Sequence, residues 1–568
     1  EDNMTKKIAL LLCCMLALSA CSTSTETTTE AATDGIYTEG SYTGEGEGFG
    51  GKVTVTIETD ANAIVAVEIV ADDETPNVGG AALEELTSQL LDAQSAEIDG
   101  VSGATFTSKG VMAAAEKAIA AAKGEEVATT GEKTAVPDGI YKAKAPSFGV
   151  MFEMALSATF EDGKITAIET VVPGSATQAD EEERSAIYAT VEENLFPRII
   201  EAQSLAVDNI SGATVSSNAA KTILAKIIDE NGGNSSEWYT PVEKSTETVK
   251  LEGYDVIVVG LGSSGVATYL SAAENGATVF GMDTAAKIGG NGTNTAGPLG
   301  VNPPTQVEAN GGEDFVDPAE LLEAWMEYTD NDAKEEIVQL FIDESGYTFK
   351  WLEDNYDFSF LPAMFAFYDS HGWPLWTMYN GKDGGTKDDA YNNSMATAKA
   401  MNEKNDYMTE LTATELIVEN GEIKGVKAEY YDGTTYEIYG DSVVLADGGY
   451  IGDAEMTQKY TGAVWHTKGM TQCNGFGIKA AMELGGALYN EDVAVEDHIA
   501  HLDNIIRSDD YSFDDKSILT SLVLELGYQM IDSKGESFDG NYNGLGIAFN
   551  AWEAGANYYV LINEEEYE

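Results

Sequence analysis

Residues 254–265 read Tyr254-Asp255-Val256-Ile257-Val258-Val259-Gly260-Leu261-Gly262-Ser263-Ser264-Gly265. A largely apolar run of strand length ends on a Gly-x-Gly-x-x-Gly turn, and an Ala-containing helical stretch follows over Val266 to Glu274. Gly276-Ala277-Thr278-Val279-Phe280-Gly281-Met282-Asp283 then reads as a second strand ending in an acid. Gly260, Gly262 and Gly265, with Ser264 among them, allow a tight turn and close approach to a pyrophosphate held at the helix N-terminus. Asp283 stands where a carboxylate accepts from ribose hydroxyls. A lone glycine motif is weak evidence. Strand, helix and acid at this spacing together predict a βαβ dinucleotide-binding unit.

Upstream, one phrase is written twice. Asp99-Gly100-Val101-Ser102-Gly103-Ala104-Thr105 returns as Asp208-Asn209-Ile210-Ser211-Gly212-Ala213-Thr214, and Asp34-Gly35-Ile36-Tyr37 returns as Asp138-Gly139-Ile140-Tyr141. The N-terminal part is therefore a tandem duplication, with units over 34–124 and 138–232. In the first, Lys52 to Glu58 and Ala63 to Val70 read as strands, and Ala81 to Leu91 and Val111 to Ala122 as helices. The second repeats the order with strands around Phe152–Phe160 and Ile165–Val171, then helices around Ser185–Leu195 and Asn218–Ile228. Each is a small α+β unit. Glu125 to Val136 reads as a connector and residues 233–253 as a polar linker.

Ser-Gly-Ala-Thr precedes a helix in both units. Its small residues leave the backbone open to a planar ligand or a modifying enzyme and make the hydroxyls of Thr105 and Thr214 accessible nucleophiles. The competing reading is a plain helix N-cap, where Ser and Thr are favoured. Two copies, each with Asp six residues before the Thr, favour the first reading.

On these residues both units resemble the FMN-binding domain of respiratory sodium-pump subunits and related exported flavoproteins. The resemblance implies that FMN is esterified through its phosphate to Thr105 and Thr214 by a flavin transferase, giving two covalent FMN groups. Glu74-Thr75-Pro76-Asn77-Val78-Gly79 looks like that family's Glu-Thr-Pro turn, whereas the second unit shows Val172-Pro173-Gly174. From residue 254 onward, Gly289-Gly290-Asn291, the run Leu411-Thr412-Ala413-Thr414-Glu415-Leu416-Ile417 before Asn420-Gly421, and Ser442 to Asp447 followed by Gly448-Gly449-Tyr450 resemble the fumarate reductase and succinate dehydrogenase flavoprotein family. So does Gly475-Phe476-Gly477-Ile478 through Gly485-Gly486-Ala487. This implies FAD, with Gly289, Gly290, Asn291, Ala413, Gly448 and Gly449 joining the βαβ turn in holding it. The implied architecture is multidomain: two α+β FMN modules, then an α/β Rossmann-like FAD domain over 254–499. A substrate-capping α+β domain begins at 500–568 and is incomplete in this sequence.

There are departures. Gly292 stands where Ser or Thr is usual, Pro298 interrupts the second glycine pair, and Asp447 replaces Thr or Ser. Where fumarate-type members carry an Arg proton donor, the segment Lys534 to Leu545 offers Leu545. A dicarboxylate needs cationic clamps, and this segment has only Lys534, which argues against fumarate as substrate. Tyr542 is a candidate acid or a packing aromatic. His498 and His501 lie near the family's substrate-contacting His or are surface histidines. Arg507 is a candidate for an anionic substrate group.

Lys6 and Lys7 precede the apolar run Ile8–Leu18, and Leu18-Ser19-Ala20-Cys21 resembles a bacterial lipobox. Residues 1–21 then form a lipoprotein signal with Cys21 lipidated, followed by a tether over 22–33; an ordinary cleaved signal is the alternative. Beyond the signal only Cys473 remains, so no disulfide framework is expected. Four His and scattered carboxylates suggest no metal site. The 97 acids against 31 bases, net charge -66, make nucleic acid a poor partner. The composite expectation is a lipid-anchored flavoprotein at the cell surface or periplasmic face. It takes electrons from a membrane or extracellular donor through FMN to FAD and reduces an activated C=C bond of a small-molecule acceptor. A dehydrogenase running the other way and a non-enzymatic flavin shuttle are the alternatives.

Overall fold

The computed structural model describes residues 36–47, 52–71, 80–96, 98, 100–101, 105–124, 133–146, 153–173, 186–295, 297–362, 373–461, 472–489, 529–532, 534–538 and 558–561. The chain divides into two compact units, Glu1–Val127 and Ala128–Glu568.

The first unit holds one three-stranded antiparallel sheet, β1 (Gly40–Glu47), β2 (Lys52–Thr59) and β3 (Ile64–Val70), and two helices, α1 (Ala81–Ala93) and α2 (Thr105–Lys123). Val53, Val55 and Ile57 alternate inward along β2 and meet Leu86 and Leu90 of α1 and Val111, Ala115 and Ala118 of α2. The strand β1 was not legible from periodicity because Gly44 and Gly46 break its pattern. A Cβ on Gly44 would lie 2.0 Å from the Ala114 carbonyl and one on Gly46 2.1 Å from the Gly110 carbonyl, so close helix-on-sheet packing requires both glycines.

The second unit opens with the same arrangement: β4 (Gly139–Pro146), β5 (Glu153–Glu161) and β6 (Lys164–Pro173), antiparallel in that order. Helix α3 (Ala186–Thr190) runs through a π-helical turn at Val191–Leu195 into α4 (Phe196–Ala202), and α5 (Thr214–Glu230) follows. Met154, Leu156 and Phe160 pack with Leu195, Ile199, Ile223 and Ile227. The supposed linker over 233–253 is structured where it leaves the module: a 3₁₀ turn at Ser235–Trp238 sends Trp238, fully buried, edge-on against Phe160. Two adjacent aromatics in a polar stretch decided this: Trp238 is buried and Tyr239 packs on the same core, and burying those rings outweighs the order it imposes.

Strand β7 (Thr248–Val259), helix α6 (Ser263–Glu274) and β8 (Val279–Met282) form a parallel βαβ unit. Helices α7 (Pro318–Tyr328) and α8 (Glu335–Asn355), the two-stranded ribbon β9 (Phe358–Phe360) with β10 (Tyr379–Gly381), and α9 (Lys387–Lys399) come next. Then β11 (Asp406–Met408), β12 (Leu411–Glu419), β13 (Glu422–Tyr430) and β14 (Thr435–Leu445) complete a six-stranded sheet in the order β11-β8-β7-β14-β13-β12. The first four strands are parallel and β13 and β12 form an antiparallel hairpin edge. All four residues of β8 are buried, as a strand covered on both faces demands. Val258 and Val279 face α6 and α9 through Leu270 and Met395, while Ile257, Val259 and Phe280 cluster with Val426 and Ile438 of the same sheet on its other side. Helices α10 (Ala454–Thr461) and α11 (Phe476–Glu483) follow, and the short strands β15 (Gln529–Asp532), β16 (Ser537–Phe538) and β17 (Tyr558–Leu561) form a separate antiparallel sheet. Among the described residues no helix is long and apolar enough to cross a membrane.

Candidate flavin sites

The C-terminal ends of β7, β8 and β14 converge because backbone bonds lock them: Gly260 N–H donates to Met282 O (2.8 Å) and Ala446 N–H to Val259 O (2.8 Å). Between these ends lies a cavity of about 260 Å³. Its lining includes Gly260, Gly262, Ser264, Asp283, Gly290, Asn291, Ala413 and Gly448. The glycines are forced by geometry. Gly260 has φ +88, and a Cβ on Gly265 would lie 1.8 Å from the Gly260 carbonyl. Gly262 is different: its Cβ would meet nothing nearer than Gly290 Cα at 4.0 Å, so its bareness leaves room in the cavity. The first N–H groups of α6 open at this point. A cradle of bare backbone at a helix N-terminus fits a pyrophosphate.

Asp283 is oriented by its own loop. Its Oδ2 accepts from Leu261 N–H and its Oδ1 from Ala285 N–H, both at 2.7 Å. Burial pushes this carboxyl above the usual aspartate range, and those two bonds oppose the shift. Both oxygens keep a second lone-pair region for a ribose hydroxyl. Asp447, the departure from the family pattern, accepts from Gly477 N–H at 2.8 Å and so tethers the start of α11 to the cavity. Cys473 also lines the cavity. Burial raises its thiol pKa and the nearby Asp283 and Asp447 raise it further, against a bond from Gly449 N–H.

Thr105 and Thr214 each occupy the first position of a helix, α2 and α5. Thr214 is half-buried, and Gly212 is exposed with φ +83, a conformation that favours glycine. Residues overlooked in the sequence recur in matching roles in both modules. Gln203 ends α4 in the left-handed region (φ +49); its side chain accepts from Ile165 N–H (2.9 Å) and donates to Ile165 O (2.7 Å) and Ile200 O (2.6 Å). Gln94 repeats this in the first module with Ile64 and Leu91, at φ +53. Buried Ser217 accepts from Ile210 N–H (3.1 Å), and Ser108 accepts from Val101 N–H (3.0 Å). The signal was available: Ala-Gln-Ser recurs at 93–95 and 202–204, and Ser stands three residues after each Thr.

Gly289, Gly290 and Asn291 sit together opposite the glycine turn, where Gly289 N–H donates to Leu261 O (2.7 Å). Gly449 lies beside Gly448 and accepts from Gly475 N–H through its carbonyl (3.1 Å). His498, His501, Arg507, Tyr542, Leu545, Cys21 and the 74–79 turn lie outside the described residues. Among the described residues no group of three or more His, Cys, Asp or Glu could hold a metal.

These features define a flavin-binding class. The FAD binding domain family matches residues 255–557, and the chain belongs to it. The FMN-binding domain matches twice, over 48–120 and 150–229, one match on each module. Urocanate reductase of Eggerthella lenta is 28% identical over 270 residues, covering 46% of this chain and 43% of that protein. Vinyl phenol reductase of Lactiplantibacillus plantarum is 28% identical over 254 residues, 43% of this chain and 48% of that protein. The chain thus spans less than half the length of these curated relatives. Among solved structures, the open conformation of a flavocytochrome c3 fumarate reductase aligns with a TM-score of 0.38 at 21% identity, covering 52% of this chain and 48% of that one.

Proposed function

We propose that the chain is the electron-accepting and FAD-binding part of an extracytoplasmic oxidoreductase that reduces an activated C=C bond. Lipidation at Cys21 holds it at the cell surface or the periplasmic face. Thr105 and Thr214 would carry FMN and the glycine-lined cavity would hold FAD, flavins that would together supply a route for electrons from a membrane or extracellular donor. When bound, FAD accepts single electrons and delivers a hydride.

This chain's own residues supply position. Gly260, Gly262, Ser264 and Gly265 hold the pyrophosphate, Asp283 the ribose, and Gly289, Gly290, Asn291, Ala413, Gly448 and Gly449 the remainder. His498, His501 and Tyr542 are the candidates for the proton donor, with Arg507 for an anionic substrate group. The reading is supported most by one observation: two modules that repeat the same glutamine bonds at a helix end and the same serine bond three residues after the Thr, in a chain that also carries a dinucleotide cradle. The relatives named above are reductases by name, which favours the reductive direction over dehydrogenation.

The test is flavin analysis of protein co-produced with a flavin transferase, before and after acid precipitation. Two FMN masses should survive precipitation, one lost in each of Thr105→Ala and Thr214→Ala, with FAD released. A reduced viologen assay over a panel of alkenes then identifies the acceptor. Absence of acid-stable flavin would sink the relay, and a panel in which no alkene reoxidises the viologen would sink the reductase.

A further inference from the structure

The two modules share a scaffold but differ at one informative position. Gln89 of the first module turns inward: it donates to Gly100 O (3.1 Å) and accepts from Gly100 N–H (3.0 Å), within its own module. The equivalent residue before Thr214 is Arg198, which turns away from its own module. Its guanidinium makes two hydrogen bonds to the Glu410 carboxylate and lies 3.5 Å from the ring centroid of Tyr431. Glu410 and Tyr431 belong to the FAD-binding part of the chain. Burial alone would lower the Arg198 pKa, but the Glu410 bond and the neighbouring charges raise it, so the cation is firmly held.

Glu410 is not a casual surface partner. It is buried and non-glycine at φ +55, a conformation retained only where surroundings impose it. Its N–H donates to Ala285 O (2.9 Å), and the next residue, Leu411, donates to Asp283 O (2.9 Å). Ala285, Asp283 and Leu411 all line the dinucleotide cavity. The same wall meets the Thr214 loop directly. Ala286 N–H donates to Ser211 O (3.2 Å), and a Cβ on Gly212 would stand 3.5 Å from Ala285 Cβ and 3.8 Å from Gln472 Nε2. A second tie lies alongside: Lys244 pairs with Asp208, the first residue of the motif, and donates to Tyr431 O (2.7 Å).

We infer that the second FMN module is built into the dinucleotide site: Arg198, Glu410 and Tyr431 clamp its Thr214 loop onto the wall formed by Ala285 and Gln472, and nucleotide binding is coupled to the order of that loop. The inference rests on reading the cavity as the FAD site and deepens that reading. Arg198 acts as a positioning residue. The coupling is reciprocal, so what orders the loop also tightens FAD.

The experiment is hydrogen exchange of FAD-free protein with and without added FAD, paired with FAD titration. In the wild type, FAD should slow exchange across 208–217 and at Ala286, with no matching effect across 100–108. Arg198→Gln installs the first module's residue at this position. It should lose the FAD-dependent slowing and bind FAD roughly tenfold more weakly. Exchange in the buried half of α5 should show no dependence on FAD and remain far slower than across 208–217, which separates lost docking from lost folding. The reversed pair, Arg198→Glu with Glu410→Arg, should recover part of both effects and serves as the second variant should Arg198→Gln unfold. Wild-type affinity and protection in Arg198→Gln would overturn the coupling. A wild type that binds no FAD would overturn the reading of the cavity as well, whereas FAD binding without a response at 208–217 would overturn the coupling alone.

Discussion

Arg198 and Glu410 stand 212 residues apart in the chain and join through two side-chain hydrogen bonds, with side chains only 14% and 7% exposed. The π-helical turn at Val191–Leu195 precedes α4, which carries Arg198, and Pro197 occupies the first turn of α4. An i→i+5 turn shifts the angular register of the helix beyond it, so this irregularity helps set the direction in which Arg198 emerges.

A buried ion pair is asymmetric in its energetics. Arg198→Met leaves Glu410 a buried, unpaired charge and should cost about 3–5 kcal/mol, whereas Arg198→Met with Glu410→Leu should cost far less. Urea unfolding followed by the urea dependence of hydrogen exchange in α5 tests this, because α5 lies in the core of the same module. Equal losses in the single and double variants would refute the buried-pair account.

The paired glutamines predict a site-specific effect on modification. Gln203→Ala removes three bonds that fix the end of α4, and each buried backbone group left unpaired costs about 1–3 kcal/mol. FMN occupancy at Thr214 should fall while that at Thr105 stays unchanged, and Gln94→Ala should produce the converse. Peptide mass spectrometry after co-production with a flavin transferase reads both. A loss at both sites from either substitution would contradict independent loop supports.

What could be read from the sequence depended on how locally it was encoded. The βαβ turn was legible because its glycines, apolar strand and acid all fall within residues 254–283, and the duplicated loops because the motif is contiguous. Strand β1 was not legible, since Gly44 and Gly46 look like breakers until the carbonyls of α2 are seen above them. The 233–253 stretch read as a linker because its polar residues outnumber Trp238 and Tyr239, which anchor it. Asp283 was read as a ribose ligand, but nothing in the sequence signalled that it also closes its own loop through Leu261 and Ala285. Arg198 drew no attention because its partner is remote in sequence.

Two glycines in the cradle should respond differently to the same methyl group. In Gly265→Ala the new carbon meets the Gly260 carbonyl at 1.8 Å, so strand and helix must separate, costing about 1–3 kcal/mol of stability along with FAD binding. In Gly262→Ala the backbone, at φ -72 and ψ -166, suits alanine, and the methyl has space. That variant should keep its melting temperature and lose FAD affinity, since the methyl projects where pyrophosphate must approach. Undiminished FAD affinity in Gly262→Ala would remove the cavity from consideration as the phosphate site.

Cys473 offers a pH-dependent reporter of the same cavity. The thiolate is the form that alkylates, so a thiol pKa raised first by burial and then by the Asp283 and Asp447 charges means less thiolate at any given pH. Alkylation by iodoacetamide should therefore run slower than that of an unperturbed cysteine at mildly alkaline pH and accelerate only as pH climbs past the ordinary thiol range. Asp447→Asn removes one of the two negative charges, so its rate profile should move to lower pH. FAD should protect the thiol, because Cys473 lines the space the nucleotide would fill. Peptide mapping isolates this cysteine from Cys13, Cys14 and Cys21. Fast alkylation at neutral pH would show that the thiol is not held beside the Asp283 and Asp447 carboxylates, and equal rates with and without FAD would place the nucleotide elsewhere.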